Sequence, residues 1–116
     1  MNIEDFRTYC LSKKGTSEDF PFDESVLVFK VADKIFALTN VDDFSSVNLK
    51  CDPEKAMELR ERYLGVEPGY HMNKKHWNTV LLSSDVPPKL FLQLVDHSYE
   101  LVLNGLSKKE REKILE

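Results

Sequence analysis

Long apolar runs are missing from this 116-residue sequence. None approaches the ~18 residues that a membrane-spanning helix needs, so the chain reads as soluble, with no membrane partner. Cysteine is scarce. Cys10 and Cys51 are too few for a disulfide framework and fit a reducing cytoplasm, where the protein is expected. Cys-x-x-Cys and His-x-x-x-His spacings are absent, so no metal site and no cofactor is expected. Four glycines, placed at helix ends and one turn, leave no phosphate-cradling loop. The first ten residues, MNIEDFRTYC, are acidic and amphipathic, which argues against a secretory signal. A basic excess is missing too. Sixteen Lys+Arg face 20 Asp+Glu, a net charge of −4, with a pI near 5.4. Domains that bind nucleic acid by bulk electrostatics usually lie well above neutral. One local absence points the other way: residues 68–84 hold no carboxylate, yet carry His71, Lys74, Lys75 and His76.

What is present suits one folded domain over residues 1–116. Hydrophobic residues make up 41% and charged residues 31%, enough apolar material for a single core. Asn2 can cap a first helix whose apolar face is Ile3, Phe6, Tyr9 and Cys10, with Gly15 ending it. Residues 16–25 read as a loop. Runs at 26–31 and 35–39 read as strands of a hairpin, joined by Ala32-Asp33-Lys34 without the glycine that usually marks such a turn. Residues 46–51 alternate as a half-buried strand, with Val47, Leu49 and Cys51 facing inward. Asp52-Pro53-Glu54 opens a second helix with a cap, a first-turn proline and a carboxylate near the positive dipole end. Ala56, Leu59, Tyr63 and Leu64 form its expected buried stripe, and Gly65 its end. Residues 66–72 are extended or irregular, and 77–82 form another strand led by Trp77. Pro87-Pro88 introduces the longest helix, and Ser107-Lys108-Lys109-Glu110 is a capping box for a short last one. The order predicts an α+β fold: an antiparallel sheet of about five strands packed by helices on one face.

Few residues offer chemistry. Asp96, His97 and Ser98 are triad types, but helix neighbours point in different directions and form no relay. Cys10 and Cys51 fall on inward faces, where a thiol acts as a small hydrophobe. Acidic pairs such as Asp42-Asp43 lie in loops as solvated surface. With no nucleophile beside a base, the chain reads as a protein that is not an enzyme. The remaining segment, 69–80, interleaves rings with cations: lysines can neutralise phosphates, and Tyr, His and Trp faces can stack on bases. The other reading makes Lys74-Lys75 an ordinary solvated turn and Trp77 a core anchor, which its place as the only tryptophan, at the head of an alternating strand, favours for Trp77 itself.

At these residues the sequence resembles the MmcQ/YjbR family of small bacterial proteins. The likeness is carried by Pro-Gly-Tyr-His-Met-Asn-Lys-Lys-His-Trp-Asn-Thr-Val over 68–80 and Leu-Val-Asp-His-Ser-Tyr-Glu-Leu-Val over 94–102. The 31–38 hairpin and the 49–54 strand-to-helix junction support it. The resemblance implies a CyaY-like, "double wing" α+β fold and a DNA-binding role. No catalytic set and no cofactor come with it. The expected function is therefore weak, largely sequence-non-specific DNA binding through Tyr70, His71, Asn73, Lys74, Lys75, His76 and Trp77, with Lys34 contributing from the hairpin tip. A protein–protein interaction module without a nucleic-acid role is the competing expectation. The chain is expected to act as a monomer.

Overall fold

The computed structural model describes residues 1–69 and 72–116. Among these, four helices and six strands follow in the order α1 (Ile3–Leu11), β1 (Thr16–Asp19), β2 (Val26–Val31), β3 (Lys34–Asn40), β4 (Ser46–Lys50), α2 (Pro53–Arg62), β5 (Val66–Pro68), β6 (Trp77–Leu81), α3 (Pro88–Asn104) and α4 (Lys108–Leu115). The strands form one sheet in the order β1-β2-β3-β4-β6-β5, with every neighbouring pair antiparallel. The fold is α+β, as the element order predicts.

Register places Leu27, Phe29, Ala37, Val47, Leu49 and Val80 on one face, and all are buried. Helices α1 and α3 cover that face. Phe6 of α1 meets Phe29 edge to face at 5.4 Å and Phe91 of α3 at 5.9 Å. Each such ring pair adds about 0.5–1.5 kcal/mol beyond the area it removes from water. Ser98 lies on the apolar stripe of α3 because its hydroxyl is used twice. It donates to Phe36 O at 2.5 Å and accepts from Lys50 N at 2.9 Å, which locks α3 across β3 and β4. Among the described residues no helix is long and apolar enough to cross a membrane.

The helix starts follow the expected caps: Asn2, Asp52 and Ser107 each accept a backbone N–H through the side chain. Three local expectations are corrected. The sheet has six strands, since the expected loop at 16–25 contains β1 and the short β5 also pairs. Helix α1 stops at Leu11 with Ser12 as its cap, so Gly15, at φ +72°, turns the chain into β1 instead. Helix α2 ends at Arg62, and Tyr63 is already extended at φ −120°, ψ 129°. Leu64 therefore leaves the helical stripe and is 91% exposed.

Candidate functional site

Strands β3, β4 and β6 are adjacent and antiparallel, so the start of β3, the end of β4 and the start of β6 share one end of the sheet. That end carries Lys34, Lys50 and Trp77, with Lys50 directly opposite Trp77. The C-terminal end of α3 reaches the same place. Between them lies an open groove of about 510 Å³ with an apolar lining of Met72, Trp77, Leu101, Leu106 and neighbours, and with Lys34, Lys50 and Asp33 as its charged groups. Among the described residues, neither Lys34 nor Lys50 forms an ion pair.

The hairpin tip that presents Lys34 is a two-residue turn with Ala32 at φ 47° and Asp33 at φ 64°. Both residues are left-handed, as the twist of a tight hairpin demands. The segment before β6 is wound on Asn73. Its carbonyl accepts from His76 N at 3.1 Å and Trp77 N at 2.9 Å, and its side-chain oxygen accepts from Lys75 N at 2.9 Å. This tight turn leaves Asn73, Lys74 and Lys75 exposed and His76 half-buried. His76 contributes through its backbone: its carbonyl accepts from Cys51 N at 2.7 Å and extends the β4–β6 ladder. Trp77 is half-buried, neither core anchor nor free surface. The expected site residues Tyr70 and His71 lie outside the described residues.

Sequence reasoning missed two residues. Lys50 sits on the outward phase of an alternating strand, a signal that could have marked it as displayed beside Trp77. Arg60 gave no signal, because its role depends on reach from α2. Its Nε donates to Asn78 Oδ1 at 2.6 Å, and its Nη2 donates to the carbonyls of Trp77, at 3.1 Å, and Lys74. One guanidinium thus staples the 73–77 turn to α2. Gly69 closes the other side: a Cβ there would lie 3.0 Å from Trp77 Cβ.

The remaining chemistry-bearing groups are engaged structurally. Burial pushes the Cys10 thiol to about 12 and the Cys51 thiol to about 11. His97 accepts from Asp52 N at 3.2 Å through Nε2, and burial, aided by Lys55, holds its pKa below the ordinary histidine value. Asp96 accepts from Tyr9 Oη at 2.6 Å and Lys13 Nζ at 2.5 Å, with Lys13 also over the Tyr9 and Tyr99 rings. That cluster ties α1 to α3, and burial followed by the Asp96 hydrogen bond raises the Tyr9 phenol to about 12.

The sequence aligns over its whole length with the Escherichia coli K12 "Uncharacterized protein YjbR", at 34% identity and with 99% of that protein covered. It is 36% identical to the "Uncharacterized protein YbdF" of E. coli O157:H7 across 82% of this chain and 79% of that protein. The fold is similar to the crystal structure of Deinococcus radiodurans protein DR2400, a DUF419 domain. The TM-score is 0.91 at 40% identity, covering 97% of this chain and 87% of that one. A Pseudomonas syringae crystal structure matches at TM-score 0.73 and 33% identity, over 88% of this chain and 99% of that one. The YjbR family model matches residues 11–101, which include Lys34, Lys50 and Trp77 of the groove, and the chain belongs to the YjbR family.

Proposed function

We propose that this protein is a cytoplasmic DNA-binding protein, weak and without base selectivity, acting through the sheet end that carries Lys34, Lys50, Lys74, Lys75 and Trp77. The observation that carries the reading is convergence. Lys34 from the β2–β3 hairpin and Lys50 from the end of β4 line one groove with the chain's one tryptophan, and the carboxylate-free turn that leads into it exposes Lys74 and Lys75, although the protein as a whole is acidic. Ammonium groups hold phosphates as point charges and carry no sequence information. Helix contacts to base edges would need Arg, Asn or Gln displayed in a groove-sized array, and this end displays lysines instead. The same reading makes the protein a binder and not an enzyme, supported by the engagement of Cys10, Cys51 and His97 in packing and capping.

With so few cations, affinity falls in the range of about 10⁻⁴ to 10⁻⁶ M typical of non-specific contacts at physiological salt. Fluorescence anisotropy of labelled DNA, at low and physiological salt, tests this. Wild type binds at low salt and Lys74→Ala/Lys75→Ala binds more weakly; undetectable low-salt binding, or a double variant equal to wild type, overturns it. One observation favours the interaction-module reading: Phe22 is 67% exposed beside Pro21, and Leu64 is 91% exposed. An apolar interface survives high salt, whereas phosphate contacts do not.

A further inference from the structure

We propose that the groove at this sheet end takes an unpaired nucleobase, so that the preferred ligand is single-stranded DNA and not duplex. The inference rests on the DNA-binding reading above and names its ligand class. A nucleotide is a flat ring with apolar faces joined to a phosphate. The groove offers the matching halves: an indole, Met72, Leu101 and Leu106 inside, and at the charged margin the ammonium groups of Lys34 and Lys50, which form no ion pair among the described residues. Asp33, the third charged group, repels phosphate, so the phosphate track runs on the Lys50 side, toward the 73–77 turn. At about 510 Å³ the groove is of ligand-pocket size.

Concavity decides the strand state. In a duplex the ring faces are already stacked on one another, and reaching an indole within a groove requires extruding a base against its pairing and stacking. A single strand presents its faces freely, and every base has a face, so stacking adds affinity without sequence preference. A duplex would meet only the lysines.

Trp77 is the only tryptophan in the chain, so its emission reports on this groove alone. The full chain is titrated at low salt with labelled oligo(dT) and with a labelled duplex of equal length, reading anisotropy of the DNA and tryptophan emission together. The expected result is quenching of Trp77 by oligo(dT) and about tenfold tighter binding of oligo(dT) than duplex, the scale of one base–aromatic stack. Trp77→Phe, which keeps a ring for folding, narrows that preference by several-fold, and Lys50→Ala weakens oligo(dT) binding. If both DNAs bind equally through Lys74 and Lys75 while Trp77 emission stays constant, the groove inference falls and the DNA-binding reading stands. If neither DNA binds, both fall.

Discussion

Arg60 decides more than its place on a helix surface suggests. Its guanidinium satisfies Asn78 Oδ1, and Asn78 is only 2% exposed with its amide turned to Ala56 O. Truncation at Arg60 leaves a buried acceptor unpaired, which costs about 1–3 kcal/mol. Arg60→Ala is therefore expected to lower the urea midpoint by that equivalent. It should also weaken DNA binding although Arg60 is no proposed ligand contact, because the Lys74 and Trp77 carbonyls lose their anchor. Unchanged stability would show that water replaces the guanidinium. Lys in its place restores charge but cannot bridge three acceptors from one planar fork. At His97 the effect is on pH. Burial and Lys55 depress the imidazole pKa in the folded protein, so the unfolded chain takes up the proton first. Stability is fully present above the ordinary value near 6.5 and is lost as pH falls through it toward the lower folded value. Denaturation midpoints from pH 8 to 5 should decline for the native chain and decline less for His97→Gln.

At the scale of elements, the strands that were legible in the sequence are those whose burial is apolar, whereas α4, which buries no residue fully, was legible through its Ser107 cap. Strand β4 alternates Val47 and Leu49 against Ser46, Asn48 and Lys50, and its burial alternates with them. Strand β1 alternates as well, but its half-buried positions are Thr16 and Glu18. Glu18 faces α1, where Arg7 Nε donates to it at 2.9 Å, and the pairing holds the Glu18 carboxyl below its usual range. An ion pair fills the place a hydrophobe would take, so hydrophobic periodicity cannot register the strand. The same holds at the site. The aromatic and cationic run before β6 was visible as composition, whereas Lys50 and Arg60 belong to it only through pairing and reach. The hairpin turn tests the backbone side of this. Asp33 adopts φ 64° without the glycine that suits it, so Asp33→Gly should raise stability by about 0.5–1 kcal/mol in denaturant titrations. Asp33→Asn keeps a residue tolerant of that conformation while removing the groove's carboxylate. It is expected to tighten DNA binding several-fold at low salt with little change in stability.

For the molecule as a whole, the opposition between a cationic end and an acidic total sets a distinctive salt response. Residues 1–66 carry thirteen acidic and nine basic side chains, while the second half is balanced. The protein measures 39 × 32 × 25 Å. At 0.15 M ionic strength the Debye length is about 8 Å, so DNA at the groove senses the local lysines and little else. At 0.01 M it is about 30 Å, comparable to the whole protein, and the distant carboxylates then repel the same DNA. Four lysines engaging four phosphates would give a log–log slope of about −3.6 for duplex DNA from counterion release. That slope should hold between about 50 and 200 mM and flatten below about 20 mM, where screening no longer hides the net charge of −4. The check is an anisotropy series in NaCl at fixed pH. A line that stays straight to 10 mM would mean the acidic surface faces away from the DNA so fully that the net charge plays no part. A slope much steeper than −3.6 would mean that cations beyond this sheet end take part in binding.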